Sequence, residues 1–266
     1  MTRPDRATLL RALLPVASGA LIVLLWYAFR MGLAIEAYVL PTPGEILKAA
    51  WTERVLLLRA AGTTLQGAFL GFIGAAVIGF AVALVLASSK SVRYALYPHV
   101  LVVQMFPVIV LAPIFVLWVG PGLPSVARIA FLIGFFPVVA NATQGLISTD
   151  ANMVDLFRMG NAGRLQEMFL LRVPFALPHY LTGLRIAASL AMIGAIAGEF
   201  FAGNSAGGTG GLGFMVIIYF AQLKTAALFA TGFMACLCGF VFVSAVIGLN
   251  WLLLRKWHDS FEHADR

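Results

Sequence analysis

Hydrophobic residues occur along the chain in six long runs, which are separated by shorter stretches that contain most of the charges. The runs cover residues 12–29, 63–87, 95–119, 126–147, 181–202 and 226–254. A hydrocarbon core about 30 Å thick is crossed by about 20 apolar residues in a helix. The pattern therefore predicts an all-α membrane protein with six transmembrane helices.

The polar stretch between the first and second runs has its own helix signal. Its sequence PTPGEIL is typical of a turn followed by a helix start, with Pro43 near the beginning of the helix. We expect an amphipathic helix at the membrane interface over residues 45–59.

Small residues recur every four positions in two of the runs. They are Gly67, Gly71, Ala75, Gly79, Ala83 and Ala87 in the second run, and Gly183, Ala187, Ala191 and Ala195 in the fifth. Small residues at this spacing let helices approach closely in lipid, so both rows indicate helix packing. The third run contains Pro107 and Pro113, which predict a kinked helix inside the bundle, because broken backbone hydrogen bonds need cover at membrane depth.

Composition excludes a water-soluble fold. The 266 residues are 61% hydrophobic and only 11% charged, whereas a soluble domain carries about 25% charged residues. The net charge of +7 is spread among the hydrophobic runs, which argues against nucleic-acid binding. Neither the histidines nor the two cysteines have metal-ligand spacing, and no catalytic constellation is present, so we expect neither a metal site nor an enzyme.

The basic residues predict the orientation. Twelve Lys and Arg residues lie in one set of loops and six in the other, so the first set should face the cytoplasm. This places residues 1–11 in a cytoplasmic N-terminus, residues 12–254 in the six-helix transmembrane domain and residues 255–266 in a cytoplasmic tail.

The longest charged cytoplasmic segment reads DLFRMGNAGRLQEMFLLRVPFALP and begins at Asp155. Asp150 or Asn152 is expected to cap a first helix, and Gly160-Asn161-Ala162-Gly163 should break it. A second helix follows, which Pro174 and Pro178 are expected to stop before the chain re-enters the membrane.

The first of these helices displays Leu156, Phe157 and Met159 among charged residues. An exposed apolar projection with a charged rim is typical of a docking element for another protein. The residues alone fit a second interpretation equally well, in which the segment lies on lipid headgroups through its arginines.

This segment resembles the EAA loop of the membrane subunits of binding-protein-dependent ABC importers. In that pattern Glu-Ala-Ala is followed by three residues, a glycine, about nine more residues, and an apolar residue, any residue and Leu-Pro. Here Asp155-Leu156-Phe157 takes the Glu-Ala-Ala place, Gly160 or Asn161 takes the glycine, and Phe175-Ala176-Leu177-Pro178 supplies the ending. The neighbouring runs resemble the branch with permeases for nitrate, taurine, aliphatic sulfonates, thiamine precursors and riboflavin.

The resemblance implies the type I ABC importer permease fold with a cytoplasmic coupling loop at about residues 150–178. It implies a bacterial inner-membrane location, two cytoplasmic ATP-binding subunits, a second permease copy in a homodimer and an extracytoplasmic substrate-binding protein. ATP and Mg would bind the partner ATPase, and this chain would bind no cofactor. The docking residues carried over are Asp155, Leu156, Phe157, Arg158, Met159, Gly160, Asn161 and Arg164. Replacement of Glu-Ala-Ala by Asp-Leu-Phe suggests a dedicated ATPase partner.

Polar residues within the runs are candidates for the translocation pathway, because such groups usually face the bundle or a water-filled cavity. They are Gln104, Asn141, Gln144, Ser189 and Glu199. For Glu199, near the outer end of the fifth run, a structural role is an equal alternative. The aromatic residues and few charges favour a small, neutral or weakly charged organic solute over nitrate.

Two other functions remain open from the residues. An ion-coupled secondary carrier is disfavoured because the run centres lack charged residues. A membrane anchor that recruits a cytoplasmic complex without transporting anything is the other alternative.

Overall fold

The fold consists of α-helices in a computed structural model that describes residues 6–203 and 210–254. The helices are α1 (Arg6–Gly32), α2 (Pro43–Thr52), α3 (Arg54–Ser88), α4 (Lys90–Met105), α5 (Val108–Val119), α6 (Leu123–Ile147), α7 (Ala151–Met159), α8 (Arg164–Gln166), α9 (Val173–Ala202), α10 (Leu212–Ala221) and α11 (Thr225–Leu254). A π-helical turn, Glu167–Arg172, joins α8 to α9. The cytoplasmic tail predicted over residues 255–266 and the first five residues lie outside the described residues.

Four of the described helices are long and apolar enough to cross a membrane. They are α3, α6, α11 and the continuous helix Arg164–Ala202, which contains α8, the π-helical turn and α9. These helices include the runs predicted at 63–87, 126–147, 181–202 and 226–254. The bent pair α4 and α5 would make a fifth span, and the described apolar part of α1, Val16–Gly32, is shorter than a span. The predicted count of six spans therefore stays a prediction.

The centre of the molecule is a three-helix unit of α3, α6 and α9, packed through the two rows of small residues. A Cβ atom added at Gly71 would lie 2.5 Å from Ala130 Cβ, and one added at Gly183 would lie 2.9 Å from the Pro137 carbonyl oxygen. Such distances leave no room for a side chain, so the glycines set the distance between the helices. The structure confirms the predicted packing role of both rows.

The third hydrophobic run forms two helices rather than one kinked helix. Helices α4 and α5 meet at an angle of 93°, and the break lies at Phe106 and Pro107, which are both extended. Proline drives the residue before it out of the helical region, which explains the break, whereas Pro113 remains inside α5. The expectation that this run lies inside the bundle is wrong for the single chain, because α4 has no buried residue and α5 has only Ala112.

The prolines after the charged segment do not end a helix. The helix continues through α9, with Pro174 in its first turn and Pro178 inside it. The π-helical turn shifts the hydrogen-bond spacing just ahead of Pro174, at the place where the continuous helix has to accommodate the N–H that proline lacks. The prediction of a stop at Pro174 and Pro178 is therefore wrong.

Two further differences concern the loops at the opposite end of the bundle. The single helix predicted over residues 45–59 is wrong, because Glu53 leaves the helical conformation (φ −92°, ψ 9°) and divides α2 from α3. The start of α2 is as predicted, with Pro43 in the first turn and a capping box between Thr42 and Glu45. Helix α10 (Leu212–Ala221) was not predicted.

Candidate coupling segment and pathway residues

Helix α7 forms where the sequence predicted it, and a side chain caps its first turn. Asp150 Oδ1 accepts a hydrogen bond from the Asn152 backbone N–H at 2.7 Å. The helix ends at Met159, and Asn161 adopts a positive φ of 56°. Asparagine tolerates this left-handed conformation better than most residues, which explains the break between α7 and α8.

The apolar side chains of α7 are mostly exposed. Leu156 is 61% exposed and Met159 is 83% exposed, while Phe157 is half-buried. Val154 on the opposite side is buried and holds the helix against the rest of the chain. Other exposed apolar side chains of this segment were not named from the sequence, and they are Met153 in α7, Leu165 in α8, and Phe169 and Leu170 in the π-helical turn.

The charged residues of α7 differ in their surroundings. The Asp155 carboxylate is exposed and lies 3.8 Å from Arg158 Nη1, one turn further along the helix. Arg158 Nε also lies 3.4 Å from Glu167 Oε2 in the π-helical turn. The Asp155 carboxylate, paired only with an exposed arginine, therefore remains accessible to a partner, whereas Arg158 also contacts Glu167.

Glu167 is the centre of an ion-pair cluster that we call the Glu167 brace, formed with Arg158 and Arg172. Arg172 donates to Glu167 Oε1 from Nε at 2.8 Å and from Nη2 at 2.5 Å. Its third nitrogen, Nη1, donates to the carbonyl oxygen of Leu146 at the end of α6 at 3.2 Å. Through these contacts the brace ties α7 and the π-helical turn to the three-helix unit.

The sequence analysis missed the brace. Side chains three or four residues apart meet on an α-helix, and Glu167 and Arg172 are five apart. The π-helical turn has hydrogen bonds of i to i+5 spacing and brings the two side chains together. The pattern Glu-x-x-x-x-Arg would have identified the pair only if the π-helical turn had been expected.

The five residues proposed for the pathway lie in different environments in the single chain. Gln104 on α4, Gln144 on α6 and Ser189 on α9 are exposed. Asn141 is half-buried, and its Nδ2 donates to the Pro137 carbonyl oxygen at 2.8 Å. Gln144 also lines a cavity between α4 and α6.

Glu199 is buried in a hydrogen-bonded cluster at the start of α10. Its Oε2 accepts hydrogen bonds from Thr64 Oγ1 at 3.0 Å and from the Gly213 N–H at 2.8 Å. Thr64 Oγ1 in turn accepts from the Leu212 N–H at 2.8 Å. A carboxylate at this place satisfies amide donors at a helix N-terminus and is favoured by the helix dipole. A side chain at Gly211 would overlap the Glu199 carboxylate, which explains the glycine there.

Comparisons with known proteins agree with this architecture. Residues 75–257 match the model of a family described as "Binding-protein-dependent transport system inner membrane component". A probable ABC transporter permease protein of Haemophilus influenzae is 31% identical over 248 residues, which are 92% of this chain and 97% of that protein.

Two further relatives have named substrates. The formylaminopyrimidine transport permease protein ThiX of Halalkalibacterium halodurans is 34% identical over 82% of this chain and 86% of its own. The riboflavin transport system permease protein RibX of Chloroflexus aurantiacus is 30% identical over 93% of this chain and 90% of its own. These matches confirm the resemblance, noted in the sequence, to the membrane subunits of binding-protein-dependent ABC importers. The chain belongs to the inner-membrane permease components of binding-protein-dependent ABC importers, multi-pass transport subunits that are not enzymes.

Proposed function

We propose that the chain forms the translocation pathway of an ATP-driven importer, and that residues 150–178 are its coupling loop. Six spans with both termini in the cytoplasm would place this loop on the cytoplasmic side. The observation that carries the proposal is the exposed apolar surface of α7, which faces solvent in the single chain although it is part of an ordered helix. A permease of this family works with an ATPase and a binding protein, so the surface has a known kind of partner.

Docking of α7 into a groove of the ATPase would bury the side chains of Leu156 and Met159. Full burial of one such side chain contributes about 1.5 to 3 kcal/mol, so the two together can hold a partner helix. The contact would be completed by Phe157, Gly160, Asn161 and Arg164. Asp155 would pair with a basic group on the ATPase, and Arg158 would contact both the ATPase and Glu167 of the brace. The ATPase would supply ATP and Mg.

The Glu167 brace supports a coupling role. A docking helix that moved freely would absorb the motion of the ATPase, whereas the brace fixes α7 to the end of α6 and to the start of α9. Closure of the ATPases on nucleotide would then displace these helices as a unit. Such a displacement requires that the open and the closed ATPase bind α7 with different affinities.

We propose a homodimer of permeases with two ATPases, in which the pathway runs between the copies. Gln104, Asn141, Gln144 and Ser189 are polar groups that such a pathway can use. Glu199 would bound the pathway near the outer end of α9. The solute would be a small organic molecule, such as riboflavin, a thiamine pyrimidine, taurine or another sulfonate, or nitrate, and the binding protein would deliver it.

The test is to purify the permease with its ATPase and binding protein, reconstitute the complex in liposomes and measure uptake with and without ATP. Met159→Asp should release the ATPase and abolish uptake, because a charge would be buried in the groove. Ala151→Asp is the matched control, since it adds the same charge to an exposed position of the same helix that lies about 140° around the helix from Leu156 and about 80° from Met159. Uptake without ATP, or full ATPase retention by Met159→Asp, would contradict the proposal.

A further inference from the structure

A cavity of about 310 Å³ lies between the beginning of α4 and the end of α6. Its polar lining consists of Arg93, Tyr94, Tyr97, Thr143 and Gln144. No aspartate or glutamate contributes to this lining, so the cavity carries one positive charge and no negative charge. A site of this size and polarity is suited to a small ligand group rather than to a protein segment.

Thr143 gives the first sign that the cavity is a binding site. The residue is 3% exposed, and its hydroxyl oxygen has no hydrogen-bond partner among the described residues. A buried hydroxyl without a partner costs about 1 to 3 kcal/mol, so nearly all such groups are satisfied by protein, water or a ligand. Thr143 is one of the residues that line the cavity, and a ligand oxygen bound there is an acceptor that its hydroxyl could reach by rotation of the side chain.

Arg93 gives the second, independent sign. Its side chain is half-buried, and none of the ion pairs of the described residues includes it. A guanidinium group that loses part of its water without gaining a carboxylate is costly, and it is stabilised by an anion. Tyr97, also half-buried, adds a phenolic hydroxyl that can donate to the same anion.

The position of the cavity limits the source of the anion. Ile147, the last residue of α6, lines the cavity, and Arg93 lies in the first turn of α4. Both lie at the end of the bundle where α7 follows α6, the end predicted to face the cytoplasm. Tyrosine and arginine at a membrane interface are typical of contacts with lipid headgroups, and the cytoplasmic leaflet carries anionic lipids.

We infer that this cavity binds one anionic group, a phosphate, sulfonate or carboxylate, at the depth of the lipid headgroups. Arg93 supplies the charge and donates to the anion, and the hydroxyls of Thr143 and Tyr97 donate beside it. The group can belong to an anionic phospholipid or to a small free anion, and both sources use the same contacts. The site does not depend on the ATPase-docking role of α7.

The test is native mass spectrometry of the purified permease–ATPase complex, freed of lipid in a neutral detergent. Phosphatidylglycerol and phosphatidylcholine with the same acyl chains are added in turn. Phosphatidylglycerol should bind at least about fivefold more tightly, and Arg93→Gln should weaken it about tenfold, as expected for the loss of one charge-assisted hydrogen bond. Lys90→Gln is the matched control, because Lys90 begins the same helix, is exposed and does not line the cavity.

Thr143→Val keeps the shape of the side chain and removes only the hydroxyl. It should weaken phosphatidylglycerol binding about threefold while leaving thermal stability equal or higher, and it keeps the test decisive if Arg93→Gln fails to fold. Inorganic phosphate and methanesulfonate are then tested as free anions. Arg93-dependent binding of these anions without lipid would support the site and identify a free anion as its source. Equal binding of both lipids and no Arg93-dependent anion binding would overturn the inference.

Discussion

Replacing Arg172 by glutamine should loosen the coupling segment from the bundle, whereas the same change at Arg158 should have little effect. Both arginines contact Glu167, but their surroundings differ. The Arg172 side chain is 20% exposed and donates twice to Glu167 and once to the Leu146 carbonyl oxygen. The Arg158 side chain is 61% exposed and makes one contact with Glu167, at 3.4 Å.

The expected magnitudes follow from this difference in burial. The Glu167 side chain is 10% exposed, and breaking a buried ion pair on one side costs about 3 to 5 kcal/mol, because the remaining charge is left without compensation. Arg158 would still partly compensate Glu167, so we expect Arg172→Gln to lower the free energy of unfolding by about 3 kcal/mol. An exposed pair contributes about 0 to 1 kcal/mol, so Arg158→Gln should cost less than about 1 kcal/mol.

Two measurements check this prediction. Reversible unfolding in mixed micelles, followed by tryptophan fluorescence, gives the two free-energy changes. In liposomes, the ratio of substrate imported to ATP hydrolysed should fall for Arg172→Gln while the ATPase remains bound, because the exposed surface of α7 is unchanged. Equal losses of stability in the two variants, or a loss below 1 kcal/mol for Arg172→Gln, would refute the reasoning.

Three other predictions test packing, the buried cluster and a helix cap. Gly71→Ala should lower the free energy of unfolding by about 1 to 3 kcal/mol, because the added Cβ would lie 2.5 to 2.8 Å from atoms of α6. Gly62→Ala is the control on the same helix. A Cβ added at Gly62 would have no neighbouring atom within 4 Å, so this variant should be neutral or stabilising in the same unfolding assay. Thr64→Val should cost about 1 to 3 kcal/mol by leaving an amide at the start of α10 unpaired, whereas Thr63→Val should cost less, and hydrogen exchange of α10 separates the two. A hydrogen bond from the Thr42 backbone N–H, together with the Thr42 side chain and a nearby arginine, lowers the pKa of Glu45 below its ordinary value of 4.5, so protonation opposes the folded cap. Exchange protection of the first turn of α2 should be lost as the pH falls below 4.5, and this pH dependence should disappear in Glu45→Gln.

The long helices and their packing could be predicted because the signals for them are local and repeated. Apolar runs of about 20 residues fix α3, α6, α9 and α11, and small residues at every fourth position fix which faces meet. The cap at Asp150 and the break after Met159 were equally readable, because each depends on a few consecutive residues. The rows of small residues pack as predicted because glycine and alanine at every fourth position leave one face of the helix without bulky side chains, and this lets a neighbouring helix approach closely.

The features that the sequence analysis missed depend on distant residues or on unusual helix geometry. Thr64 and Glu199 are 135 residues apart in the sequence, so no local pattern predicts the hydrogen bond between them. The π-helical turn gave no signal of its own, so the Glu167 brace and the passage of the helix through Pro174 and Pro178 were both overlooked. Pro107 indicated that the helix would be interrupted, but the sequence did not give the angle between α4 and α5. That angle depends on how the two helices pack, and neither is packed inside the bundle.

The unbroken helix from Arg164 to Ala202 has a mechanical consequence. Glu167 near one end and Glu199 near the other are about 50 Å apart at 1.5 Å per residue. A swing of only 5° about the midpoint would carry each end by about 2 Å in opposite directions, which is comparable to a hydrogen-bond length. If this helix moves as a rigid rod, a displacement at its Arg172 end therefore also moves Glu199, which accepts a hydrogen bond from the Gly213 N–H at the start of α10.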